Sequence, residues 1–167
     1  MHTVCELGAN AGQNLEALRE VRPELRLTGA EVNAQACERM TRVPGVTAVR
    51  SSIQDFAASG RFDLVFTCGV LIHVCPEDLP AVYRKMVALS SRYLLVNEYF
   101  NPRPQEIPYR GHAGRLFKRD FAAELLELCP DVQLVDYGFL WKRRHPAWDD
   151  TTWFLLEKRP PPSQPEP

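Results

Sequence analysis

Val4-Cys5-Glu6-Leu7-Gly8-Ala9-Asn10-Ala11-Gly12 sets an apolar run directly before two glycines, with a carboxylate just ahead of the first. Gly8 permits a tight turn, and Gly12 lets a following helix start close to a strand. A ligand can then rest on bare backbone near a helix N-terminus. A second acid, Glu31, lies about 20 residues past Gly12 in Gly29-Ala30-Glu31-Val32-Asn33, the distance at which a strand-end carboxylate meets ribose hydroxyls. Turn and acid together point to an adenosine-type ligand. A dinucleotide fingerprint reads G-x-G-x-x-G, whereas this turn reads G-x-x-x-G. Glu6 would repel a pyrophosphate and suits a ligand bearing an ammonium and a sulfonium. A nicotinamide-dependent oxidoreductase fits the strand–turn–helix unit but not the Glu6 loop.

Other residues able to do chemistry lie further along. His73 follows an apolar run, where a packed histidine is the commoner reading and contact with a substrate the sharper one. Cys68, His73 and Cys75 cluster, but no fourth ligand has suitable spacing, so no metal is expected. Glu98 falls at the carboxyl end of an apolar run, where ligands meet an open sheet. Tyr109, Arg110, His112 and Arg115 occupy a long Pro-, Arg- and Gly-containing stretch, 101–119. Glu98 and His112 are candidate proton acceptors, Tyr109 a positioning group, and Arg110, Arg115 and His73 candidate substrate contacts. Arg103, Lys118 and Arg119 add to the local positive charge. That charge either receives an anionic group or pairs with Glu106, Asp120 and Glu124. Trp141, Trp148 and Trp153 read as packing residues.

Elements must position these groups. Apolar runs predict strands over 3–7, 25–32, 46–50, 62–67, 93–99, 132–140 and 151–157. Leu15, Leu18 and Val21 form one helical stripe, Leu79, Val82, Met86 and Leu89 a second, and Phe121, Leu125 and Leu128 a third. Pro76 and Glu77 suit the first turn of the second helix. The alternation predicts a Rossmann-like, doubly wound α/β sheet of about seven strands. The last two runs can form a hairpin, and 101–119 stands as an irregular connection. The first strand falls almost at Met1, so covering helices ahead of it are expected to be absent. A second copy of the chain in a homodimer could then close the open side of the crevice.

Bulk properties narrow the class. The 167 residues are 45% hydrophobic and 25% charged, which fits one ordinary globular domain, 1–159, followed by a Pro-rich tail over 160–167 expected to be disordered. A net charge of −1 offers no attraction to a nucleic-acid backbone. No apolar run is long enough to cross a membrane, and five scattered cysteines suit a reducing compartment, so the expected location is the cytoplasm.

The motifs in sequence order resemble class I S-adenosylmethionine-dependent methyltransferases. The acid-x-Gly turn is their first motif, with Asn10 in place of a middle glycine. Ser51-Ser52-Ile53-Gln54-Asp55 resembles the adenine-contacting segment, and Phe62-Asp63-Leu64-Val65-Phe66-Thr67-Cys68-Gly69-Val70-Leu71-Ile72-His73 the segment beside the sulfonium. Asn97-Glu98-Tyr99-Phe100-Asn101-Pro102, Pro108-Tyr109-Arg110-Gly111-His112, Arg115-Leu116-Phe117-Lys118-Arg119-Asp120-Phe121 and Asp149-Asp150-Thr151-Thr152-Trp153-Phe154-Leu155-Leu156-Glu157 are most similar to the pseudaminic acid biosynthesis-associated methylases. The resemblance implies S-adenosylmethionine held by Glu6, Gly8, Asn10, Gly12, Asn14, Glu31, Val32, Ser52, Ile53, Cys68 and Gly69. It also implies an antiparallel last strand. The expected reaction is methyl transfer to an oxygen or nitrogen of a small, acidic metabolite. A protein of this fold that binds the cofactor without turnover is the alternative.

Overall fold

The computed structural model describes residues 1–144, 146 and 149–159; the Pro-rich segment 160–167 and Trp148 lie outside the described residues. In chain order come β1 (Thr3–Leu7), α1 (Gln13–Val21), β2 (Arg26–Glu31), α2 (Ala34–Met40), β3 (Val46–Arg50) and β4 (Phe62–Cys68). A 3-10 turn at Leu71–His73 leads to α3 (Leu79–Leu89) and β5 (Ser90–Glu98). Then follow β6 (Gln105–Glu106), β7 (Phe117–Lys118), α4 (Phe121–Leu128), β8 (Val132–Leu140) and β9 (Thr151–Lys158).

Seven strands form one sheet in the order β3-β2-β1-β4-β5-β9-β8. β1 to β5 pair in parallel, and β9 runs antiparallel between β5 and β8. The expected seven-stranded, doubly wound sheet with a reversed last strand and a terminal hairpin is thus present. After β1 the chain steps one way to β2 and β3, then returns to β4 on the other side. The crevice at that switch point opens at the carboxyl ends of the strands.

Both sheet faces carry cores. Leu15 of α1 and Cys37 and Met40 of α2 pack with Val4, Leu27 and Phe66 on one side. Val82 and Met86 of α3 and Phe121 and Leu125 of α4 pack with Leu94, Val96 and Leu156 on the other. The central strands β1, β4 and β5 are apolar over most of their length because helices cover much of both faces, whereas β8 at the sheet edge is largely exposed. Among the described residues, no helix is long and apolar enough to cross a membrane.

Several local expectations need correction. Val21 is 75% exposed, because α1 ends at that residue and only its earlier turns lie on the sheet. α3 begins at Leu79 with Pro80 in its first turn, so Pro76 belongs to the preceding bend. The short helix α2 had no apolar stripe to announce it: only Cys37 and Met40 are buried, and Asn33 caps its start by accepting from the Ala36 N–H. Trp153 packs against Gly138, where an added Cβ would come within 2.7 Å of the ring, but Trp141 is 52% exposed.

The stretch expected to be irregular is an arm with its own pairing. β6 and β7 join antiparallel, and the Ile107 N–H donates to the Leu116 carbonyl. Tyr109 and His112 exchange two backbone hydrogen bonds of 2.9 Å. Between them Arg110 and Gly111 take φ 50° and 82°, the two positive values of a type I′ turn. Arg-Gly is not the Asn-Gly or Asp-Gly pair that usually signals such a turn.

Replacing Leu94, fully buried against both helices, by alanine should cost about 2–5 kcal/mol in urea unfolding. Val21→Ala should stay within about 0.5 kcal/mol of the parent.

Candidate functional site

The turn after β1 is left-handed at Gly8 (φ 74°), Asn10 (φ 50°) and Gly12 (φ 83°). Asparagine tolerates that conformation, so the missing middle glycine costs the turn little. A Cβ on Gly8 would collide with the Val70 side chain, and one on Gly12 would sit 2.9 Å from Met40 Cγ. The Glu31 carboxylate at the end of β2 locks the turn from the side. Its Oε2 accepts from the Asn10 N–H at 2.8 Å and its Oε1 from the Asn33 N–H at 2.7 Å.

Around this turn the sheet top opens into a groove of two lobes. The first, about 500 Å³, is lined by Gly8, Asn10, Glu31, Asn33, Gln35, Arg39, Cys68, Gly69 and His73. The second, about 290 Å³, is lined by Val32, Ser51, Ser52, Ile53, Val74 and Asp78, and it shares Gly8, Glu31, Val70 and His73 with the first. Gly69 at φ 64° keeps the β4 side of the groove low.

Two buried carboxyl groups sit beneath the groove. Glu6 is 1% exposed; its Oε1 accepts from Asn14 Nδ2 at 2.6 Å, and its Oε2 has no partner among the described residues. Burial pushes its pKa up to about 8, against the lowering pull of Asn14 and with a further rise from Glu31. Glu98 is 2% exposed, and its Oε1 accepts from the Val70 N–H at 3.2 Å. Its pKa rises to about 7, burial outweighing the nearby N–H groups of Leu71, Val70 and Ile72 and the Thr67 hydroxyl. Of these donors only Val70 closes a hydrogen bond. Between the two acids lies Cys68, whose Sγ accepts from Asn97 Nδ2 at 3.2 Å; burial raises its pKa to about 11, so it stays a thiol.

The structure gathers Gly8, Asn10, Glu31, Val32, Ser52, Ile53, Cys68 and Gly69 around one groove. Glu6, Gly12 and Asn14 support the turn from below and behind without lining either lobe. Glu98 lies under the Val70 turn and does not line the groove. His73 lies at the junction of the lobes, with Nδ1 2.7 Å from the Arg115 carbonyl and its ring 5.2 Å from that of Tyr109. The arm therefore folds back over the β4 side. His112 closes the turn through its backbone, and the Arg110 guanidinium lies 5.2 Å from the Tyr109 ring centre. Arg119 is bonded to Glu124, which also accepts from the Tyr83 hydroxyl. Asn33, Gln35 and Arg39 were missed as groove residues. They hang on α2, and Asn33 as a helix cap was the one available signal.

A backbone-lined groove at the switch point of a parallel sheet, with an acid at the second strand end, defines a nucleoside-binding α/β protein. Residues 5–91 match the methyltransferase domain family, just over half the chain, and the chain belongs to that family. Among solved structures it is similar to the 1,6-didemethyltoxoflavin-N1-methyltransferase of Burkholderia thailandensis, with TM-score 0.75 and 17% identity over 95% of this chain and 71% of that one. The magnesium protoporphyrin IX methyltransferase of Synechocystis PCC 6803 gives 0.70 and 15% over 93% and 69%. The N-methyltransferase NodS of Bradyrhizobium japonicum WM9 gives 0.68 and 19% over 95% and 86%. Such identities establish a shared fold. No curated protein matches the chain.

The raised pKa of Glu98 makes stability depend on pH. The folded state favours the neutral carboxyl, so this contribution is full below the unfolded pKa of about 4.5 and is lost as pH rises through about 7. Glu98→Gln should therefore melt close to the parent at acid pH and above it at pH 8, by on the order of 3 kcal/mol at most. Calorimetric melting across that range checks the sign.

Proposed function

We propose that this methyltransferase moves the methyl group of S-adenosylmethionine to an oxygen or nitrogen of a small, acidic molecule. One observation carries the reading: every residue lining the two lobes, from Gly8 to Asp78, falls inside the span that matches the methyltransferase domain family. The quoted motifs of the arm and of β9 support a place near the pseudaminic acid biosynthesis-associated methylases. A cytoplasmic location and a homodimer that closes the groove are part of the same proposal.

The groove residues fit the donor. Glu31 keeps lone pairs for ribose hydroxyls after accepting from Asn10 and Asn33. Val32, Ser52 and Ile53 bound the smaller lobe and suit an adenine. Gly8, Asn10, Cys68 and Gly69 leave room for the amino-acid end, with Gly12 supporting the turn from behind and Asn14 holding Glu6 below it. The unpartnered Oε2 of Glu6 is an orphaned buried atom that a nearby cation would satisfy. When bound, S-adenosylmethionine supplies an electrophilic methyl group, and the protein's task is largely alignment.

The arm carries the acceptor reading. Arg103, Arg110 and Arg115 form no ion pair among the described residues, whereas Arg119 is taken up by Glu124. Arg110 stands at the turn tip and the Arg115 main chain beside His73, and a guanidinium fork matches a carboxylate or phosphate. Tyr109 positions the acceptor. His112 stands at the far side of the same turn. Glu98 braces the Val70 turn from beneath, which suits a supporting part better than proton transfer.

Glu31→Ala should weaken S-adenosylhomocysteine binding by about 1.5–3 kcal/mol in titration calorimetry, through loss of a charge-assisted hydrogen bond. Gly8→Val should abolish it. Equal affinity of Glu31→Ala and parent would place the ribose elsewhere.

The acceptor is tested by labelled methyl transfer to 3,4-dihydroxybenzoate, glucuronate and 3-aminobenzoate, each against its uncharged counterpart catechol, glucose or aniline. The anionic member of each pair should be preferred. Arg110→Ala and Arg115→Ala should lower kcat/KM about tenfold or more without changing Tm. Variants that melt lower yet turn over normally make the arginines structural. Tight cofactor binding without transfer to any member favours the silent binding protein.

A further inference from the structure

We propose that His73 Nε2 takes the proton of the methyl acceptor, an assignment that rests on the methyl-transfer reading above. The ring is fixed from one side. Its Nδ1 lies 2.7 Å from the Arg115 carbonyl oxygen, which can only accept, so Nδ1 carries the hydrogen. In the neutral imidazole the opposite nitrogen is then a bare lone pair. No described residue bonds to Nε2, and His73 is exposed where the two lobes meet.

The arm fixes the ring's orientation. Tyr109 packs on it at 5.2 Å with the planes tilted by 59°, and β7 lies against the 3-10 turn that bears it. A histidine oriented by a main-chain carbonyl through one nitrogen and free at the other is the arrangement that proton transfer requires. Neither earlier candidate matches it. Glu98 is 2% exposed beneath Val70, and His112 lines neither lobe.

The step balances without any further reactant. The acceptor's O–H or N–H gives its proton to Nε2, forming an imidazolium. The acceptor's freed electron pair bonds to the methyl carbon. The carbon–sulfur bond breaks with its pair going to sulfur, leaving a neutral thioether. The imidazolium then returns its proton to water through the open groove.

The test uses the full chain. Histidine labelled with 15N should show the neutral form of the His73 ring protonated at Nδ1 and bare at Nε2. An Nε2–H tautomer overturns the assignment. Diethyl pyrocarbonate should acylate His73, with the site located by peptide mass spectrometry, and S-adenosylhomocysteine should protect it; equal labelling with and without that ligand places the ring outside the site. His73→Asn keeps an N–H donor near Arg115 and removes the base. It should retain parental Tm and S-adenosylhomocysteine affinity, yet lose about 100-fold or more in kcat on the acceptor the parent methylates. Parental turnover in that variant sinks the proposal, and a large loss of cofactor affinity makes His73 a binding residue instead. A parent that binds S-adenosylhomocysteine yet methylates neither member of any probe pair counts against the methyl-transfer reading and the His73 step together.

Discussion

Gly8 and Val70 approach so closely that no side chain fits between the turns after β1 and β4. Much of the site depends on that one contact. It brings a Gly-rich turn against the start of the β4 turn and leaves the groove floor made of backbone. The β4 turn stays in place because its Val70 amide donates to Glu98, reaching up from the end of β5. From the other side Glu31 holds the Asn10 amide, so the neighbouring ends of β2, β1, β4 and β5 are tied together through two carboxylates and the Gly8–Val70 contact. The sheet sets the spacing, and main-chain donors set the shape.

The same arrangement explains why two acids are tolerated with almost no exposure. Glu6 and Glu98 lie on either side of Cys68, each with one oxygen bonded and one unpartnered. A buried ionised carboxylate with half its acceptor capacity unused is costly, and both groups respond by holding their protons near neutrality. They thus act as neutral hydrogen-bonding supports until a cation comes close. A site for a positively charged ligand can be kept ready in this way without a permanent charge in the core.

The parts of this design written in local sequence were readable. The β1 turn, the acid at the end of β2 and the apolar strands each follow from contiguous residues, so element type and order came through. What escaped depends on distance. Glu98 read as a strand-end group where ligands meet the sheet, because nothing local to it announces that Val70 will fold over its carboxylate. The β6–β7 arm looked irregular, because two-residue strands and an Arg-Gly turn carry no periodicity. α2 is short and mostly solvated, so its few groove residues were invisible until β3 had fixed where the helix lies. His73 was read first as a packed residue, and only the Arg115 carbonyl, far away in sequence, shows which nitrogen is free.

At the opposite end of the sheet, β8 is an edge strand with Tyr137 and Phe139 at 65% and 60% exposure. An open, aromatic edge invites strands of other molecules to add on in solution. Here the register slips between Leu134 and Asp136, and the Asp136 carboxylate occupies the Tyr137 amide. An incoming strand would have to displace that carboxylate and follow a kinked ladder. Side-chain stickiness is therefore combined with a main chain that resists zippering.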